Sequence, residues 1–226
     1  MQETIIISLG GSLIVPDNID VDFLKDFKKL ILLHVEQGKK FVIITGGGKI
    51  CRRYNDAAEK ITTPGKDDLD WLGIAATRLN SELLRIVFGD FAYNKVVLDP
   101  DVMPKTEKPI IFGAGWKPGN SSDLAAIHAA KSVGAKKIIN LSNTDYVYDS
   151  DPKNNPNAKK IEKIAWAEYR KLIPKEWNPG LNTPFDPIAS KMAEEEGIEV
   201  VIMNGKSVDN LASYLKGEKF LGTAIR

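Results

Sequence analysis

Apolar residues along the chain fall into two alternating patterns. Short β-branched runs give way to longer stretches in which apolar positions return at helical spacing. The run IIISL at 5–9 predicts a buried strand closed by Gly10 and Gly11. Asp20 is placed to cap a helix from about Val21, where Phe23, Phe27, Leu30 and Ile31 share one face until Gly38 ends it. FVIIT at 41–45 predicts a second strand, closed by Gly46, Gly47 and Gly48 and followed by a helix to about Lys60. ITTPGK at 61–66 reads as a loop, 68–87 as a long helix, and 96–98 and 110–112 as strands.

The second half repeats the alternation. Gly113, Gly115 and Gly119 follow the 110–112 strand, and Ser121 and Ser122 can cap a helix over 123–133 that Gly134 ends. A strand at 137–141 leads into a polar stretch at 149–160 with two prolines, which must be an exposed loop. Helices are predicted over 165–173, 186–196 and 208–215, and strands over 199–203 and 222–225. Successive strand–helix units imply a three-layer αβα sandwich around a mainly parallel sheet. No tandem repeat or linker divides the 226 residues, so 1–226 form one domain, with lobes at about 1–135 and 136–226.

Composition narrows the class. With 43% hydrophobic and 27% charged residues the chain is neither disordered nor fibrous. A formal charge of +1 gives no basic excess for a general nucleic-acid binder. The single cysteine, Cys51, excludes an internal disulfide and suits a reducing cytosol. The N-terminus has no secretory pattern and no stretch has the length of a membrane span, so a cytoplasmic protein without a membrane or nucleic-acid partner is expected.

The strand-end glycines are the first chemical clue. Glycine lets backbone N–H groups approach an anion, and a helix that starts at once adds its positive dipole end. Three such turns at neighbouring strand ends point to a polyphosphate or to two phosphate-bearing ligands. GGGKIC is not a P-loop, since its lysine comes early and no hydroxyl follows, and Pro118 breaks any G-x-G-x-x-G from Gly113. His34 and His128 lie inside predicted helices, and no metal-spaced cluster or nucleophile motif is seen, so no metal site is expected. Phosphoryl transfer fits, because positioning and charge neutralisation supply most of its catalysis.

The ordered segments strand-GGS, TGGGKICRRY, DWLGIAATRLN, PGNSSDLAA, LSNTDYVYDSDP, DPIASKM and GTAI resemble the amino-acid-kinase superfamily, and within it the archaeal-type uridylate kinases. The likeness runs from about residue 5 to 225. It implies phosphoryl transfer from ATP, with Mg2+, to UMP, and a homo-oligomer, a hexamer in the family. Adjacent apolar Ile31, Leu32 and Leu33 fit a buried interface. By position, the resemblance implies that Gly10, Gly11, Ser12 and Gly48 hold ATP phosphates, with Arg52 beside them. Ser142, Asn143, Tyr148 and Asp151 would line the adenosine pocket. Gly47, Asp70 and the stretch Trp116, Lys117, Pro118, Gly119, Asn120, Ser121, Ser122 would take UMP. Arg52, Asp123 and Lys191 would be the catalytic group.

The chain departs from the family at several of these positions. Tyr146 replaces a glycine in Asn143-Thr-Asp-Tyr-Val-Tyr148, and would be strained if that position needs a positive φ. Trp116-Lys117-Pro118-Gly119 stands for Thr-x-Pro-Gly, Ser121-Ser122 for two threonines, and Gly180-Leu-Asn-Thr-Pro-Phe185 for a serine-rich turn. Three readings therefore stay open. They are a UMP or other nucleoside-monophosphate kinase, a sister kinase acting on a small phosphate or carboxylate acceptor, and a non-catalytic nucleotide-binding or storage assembly.

Overall fold

Residues 3–152, 154–176 and 183–226 are described in the computed structural model. The chain runs β1 (Thr4–Leu9), α1 (Gly11–Ile14), α2 (Val21–Glu36), β2 (Lys40–Thr45), α3 (Gly48–Ile61), α4 (Lys66–Phe88), β3 (Ile110–Gly113), α5 (Ser122–Val133) and β4 (Lys137–Ser142). It continues through β5 (Val147–Tyr148), β6 (Lys160–Ile161), β7 (Lys163–Ile164), α6 (Trp166–Tyr169), α7 (Pro187–Glu196), β8 (Glu199–Asn204), α8 (Val208–Leu215) and β9 (Thr223–Ile225). Seven strands form one sheet in the order β3-β2-β1-β4-β8-β9-β7, parallel except where β9 meets β8.

The period-2 alternation of a strand sorts the core into two layers. Ile7 and Leu9, Phe41 and Ile43, Ile139 and Leu141, and Val201 and Met203 face one side, where Phe27, Ile31, Leu84, Phe88 and Leu211 of α2, α4 and α8 cover them. Ile6, Val42, Ile44, Ile138, Val200 and Ile202 face the other, under α5, α6 and α7. The expected three-layer α/β sandwich with a mainly parallel sheet is the observed fold. Burial on both faces explains why the strands read as continuous apolar runs.

Three local expectations need correction. The stretch at 96–98 is no strand, but a single bridge from Val97 to Gly113. It runs into Pro100 and cannot extend the ladder. The helix expected over 165–173 is one turn, Trp166–Tyr169, fixed by Trp166 Nε1 donating to the Ile198 carbonyl at 3.1 Å. The polar stretch at 149–160 is an exposed loop as expected, and it closes a small hairpin in which Val147 pairs with Ile161 and Tyr148 with Lys160. Among the three apolar neighbours on α2, Ile31 is in the core and Leu32 packs against it, so only Leu33 is exposed. Lys153 and 180–182 of the stretch ending at Phe185 lie outside the described residues.

Candidate active site

The glycine turns after β1 and β2 pack backbone against backbone. A methyl group on Gly11 would come within 2.1 Å of the Gly48 nitrogen, and one on Gly46 within 2.7 Å of the Gly11 nitrogen. Gly48 has φ +66°, a left-handed conformation that favours glycine. Gly10 donates to the Leu141 carbonyl and Gly46 to the Leu9 carbonyl, at 2.8 and 2.9 Å, so the β1, β2 and β4 ends are knitted together. Gly47 stands at the N-cap of α3 and offers no side-chain cap, which leaves first-turn N–H groups without a side-chain acceptor. Ser12 lies in α1, one residue beyond Gly11.

Helix α4 fixes the β2 turn and the 113–122 loop, and it does so with polar side chains from one face. Asn80 donates to the Gly46 and Gly47 carbonyls at 2.8 and 3.3 Å. Ser81 donates to the Gly113 carbonyl at 2.7 Å and lies 2.7 Å from the Thr45 hydroxyl. Thr77 accepts the Gly115 N–H at 2.7 Å, and Asp70 Oδ2 accepts the Gly119 N–H at 2.8 Å, where φ is +79°. Burial pushes the Asp70 carboxyl up, the Gly119 hydrogen bond pulls it down, and Asp67 adds to the rise. Burial also raises the Cys51 thiol, against the nearby Arg52 charge, so this cysteine is a weak nucleophile. The roles of Thr77, Asn80 and Ser81 escaped the sequence reading. Their signal is a run of polar residues, TRLNS, inside an otherwise apolar helix face.

The 113–122 loop carries its aromatic residue against α5. The Trp116 ring meets His128 edge-on at 5.2 Å, and Lys117 Nζ sits 3.8 Å from the Trp116 ring centre. Arg78 reaches the Trp116 carbonyl at 3.4 Å. Asn120 folds back on the carbonyls of Lys117 and Pro118, at 3.3 and 3.1 Å. Ser121 caps α5 by accepting the Leu124 N–H at 3.1 Å, and Ser122 opens that helix.

Asp123, in the first turn of α5, is where both halves of the chain meet. Its Oδ1 accepts from Ser8 Oγ and Asn140 Nδ2, each at 3.0 Å, and its Oδ2 accepts the Asp186 N–H at 3.1 Å. Asp186 caps α7 by accepting the Ala189 N–H at 2.7 Å. Low-polarity surroundings push the Asp123 carboxyl up to about 7. The Asp186 charge adds to this, and the hydrogen bonds from Ser8, Asp186 and Asn140 offset part of it. Burial likewise raises Asp186, against hydrogen bonds from Ala189 and Ser121. Ser8, Asn140 and Asp186 were also missed by the sequence reading. Ser8 and Asn140 are polar residues in apolar strand runs, and that mismatch is the signal.

Beyond β4 lies a cavity of about 570 Å³ bounded by 142–152, by Tyr169 and Leu172–Pro174, and by Thr183 and Pro184. Ser142, Asn143, Tyr148 and Asp151 all line it, as does Tyr146. Among the described residues no non-glycine has positive φ, so Tyr146 is unstrained. Its ring meets Tyr148 edge-on at 6.4 Å and lies 4.8 Å from Lys160 Nζ, so it reshapes the cavity wall without closing it. Arg52 is exposed on α3. Lys191 is exposed on α7 and faces Glu195 at 3.8 Å, outside the Asp123 network. No group of three or more His, Cys, Asp or Glu among the described residues could cage a metal ion. An octahedral Mg2+ at this site would therefore take most of its ligands from a bound phosphate and water.

Glycine turns at parallel strand ends, beside a cavity and the carboxylates of half-buried Asp123 and buried Asp186, define a phosphate-handling α/β fold with its site outside the carboxyl edge of the sheet. Residues 3–204 match the profile of the amino acid kinase family, and the chain belongs to that family. It is similar to uridylate kinase from Thermococcus onnurineus (34% identical over 226 residues, 98% of each chain) and to that from Pyrococcus abyssi (34% over 224 residues, 98% of each). Its fold is similar to the crystal structure of uridylate kinase from Archaeoglobus fulgidus, with TM-score 0.81 and 29% identity over the whole of both chains. No helix among the described residues is long and apolar enough to cross a membrane.

Proposed function

We propose that the chain transfers the γ-phosphoryl group of ATP, brought as its Mg2+ complex, to UMP, giving ADP and UDP. The observation that carries this reading is the meeting of the two halves at Asp123. The 113–122 loop leads into that residue, and Asn140, two positions before the cavity-lining Ser142, binds it. In this reading residues 136–226 form the donor lobe and 1–135 the acceptor lobe. The adenosine part occupies the cavity beside Ser142, Asn143, Tyr148 and Asp151. The donor phosphates lie against the β1 turn beside Gly10, whose own N–H is held by Leu141, on N–H groups of Gly11, Ser12 and Gly48, with Arg52 compensating charge. The acceptor phosphate lies at Gly47 and the 116–122 turn. Asp70, whose Oδ2 already accepts from Gly119, offers Oδ1 to ribose hydroxyls.

The acceptor oxygen of UMP is already anionic, so alignment and charge compensation suffice and no strong base is required. Lys191 enters only by leaving Glu195, and an exposed pair of this kind holds its partners weakly. A cytosolic homo-oligomer, a hexamer by family likeness, completes the proposal. The test is ADP release with Mg-ATP and UMP, CMP, AMP or GMP. Fastest turnover with UMP is expected. Turnover of another monophosphate alone would reassign the acceptor, and ATP binding with no turnover would contradict the reading.

A further inference from the structure

Ser8 and Asn140 are buried polar residues on the innermost strands, and they are register partners across β1 and β4. Both side chains therefore leave the sheet on the α5 face, and both donate to the same oxygen, Asp123 Oδ1. Apolar replacements of matching volume at such positions are commonly neutral or stabilising, so core stability alone does not account for three polar groups converging there. The convergence also has a particular address. Ser8 lies two residues before Gly10, Asn140 two before Ser142, and Asp123 directly after Ser121 and Ser122.

We infer that Ser8 and Asn140 are positioning residues for the phosphoryl transfer, fixing the Asp123 carboxylate between the β1 turn and the 113–122 loop. This rests on the kinase reading above and adds to it the two residues that hold Asp123 in place. A loosely held carboxylate beside phosphates would swing away from their negative charge. Two donors on Oδ1 and the Asp186 N–H on Oδ2 prevent that. The titratable group acting on Asp123 is Asp186 at the start of α7; Asp123 in turn adds to burial in raising the Tyr169 hydroxyl of α6, which is engaged with Phe185. Removing a donor from Oδ1 disfavours the ionised form, so the Asp123 carboxyl would hold its proton to higher pH.

The experiment compares wild type, Ser8→Ala and Asn140→Leu, the second keeping side-chain bulk should the first fail to fold. With saturating Mg-ATP and UMP, each variant is expected to lower kcat about tenfold, the effect of one hydrogen bond to a charged group, with both KM values unchanged. The acid limb of the pH profile should move to higher pH. A kcat that falls only in step with melting temperature, with the acid limb unmoved, would overturn the inference. If wild type turns over no monophosphate, the kinase reading fails, and carboxyl-carbon NMR of Asp123 decides the positioning role separately. A midpoint of about 7 in wild type and a higher one in the variants supports it, and equal midpoints overturn it.

Discussion

Gly11→Ala is the sharpest test of how the phosphate turns are built. The added methyl would stand 2.1 Å from the Gly48 nitrogen and 2.5 Å from the Gly46 carbonyl carbon and oxygen. Against a carbon contact distance of about 3.5 Å, the shortfall is about 1.4 Å, and all three neighbours are backbone. No rotamer can relieve it. The β1 and β2 turns must part, yet Leu9 pairs with Thr45 and Gly46 donates to the Leu9 carbonyl. Overpacking costs about 1–3 kcal/mol and the strained hydrogen bond about 1 kcal/mol, giving roughly 2–4 kcal/mol in total. At about 2–4 °C per kcal/mol for a chain of this size, melting should fall by roughly 5–15 °C. The control is Gly134→Ala, where φ is +72° but nothing lies within 4 Å, so only the conformational cost of about 1 kcal/mol applies. Urea denaturation of both variants reads the difference. Equal losses at the two positions would refute the backbone-contact argument.

Asn80→Ala removes the donor to Gly46 and Gly47 from a buried site, and should cost about 1–3 kcal/mol in urea denaturation; a loss no larger than for an exposed residue would refute the clamp. Asp70→Asn should weaken UMP more than ATP in calorimetric titration, and equal affinities before and after would reduce Asp70 to a loop anchor. Burial holds the His34 imidazole below the ordinary histidine value, and the Lys39 and Lys216 charges add to this. The unfolded chain therefore takes up a proton first, so this contribution is complete above about pH 6.5 and is lost as pH falls below it. His34→Leu should flatten the fall in urea midpoint between neutral and mildly acidic pH, and an unchanged slope would remove His34 from the account.

The sheet was legible because parallel strands buried on both faces read as apolar runs, and the turns because glycine is needed where backbones touch, as at Gly11 and Gly48. The same logic hid the centre of the site. An apolar run buried on both sides draws attention away from the one polar residue within it, and Ser8 and Asn140 take their meaning from a carboxylate on a distant helix. Pairings across long separations were equally hidden. Val147 with Ile161, and β9 between β8 and β7, are set by tertiary contact and not by local pattern. Trp116 carries no local mark of its partner either, since His128 reaches it from the second turn of α5.

The central claim is direct transfer of phosphoryl from ATP to UMP across the Asp123 junction. Phosphorus NMR of the chain with Mg-ATP and UMP tests it most directly. The account predicts that UDP and ADP signals grow together in equal amounts, without inorganic phosphate. ADP with inorganic phosphate, or an unchanged ATP spectrum, would contradict it.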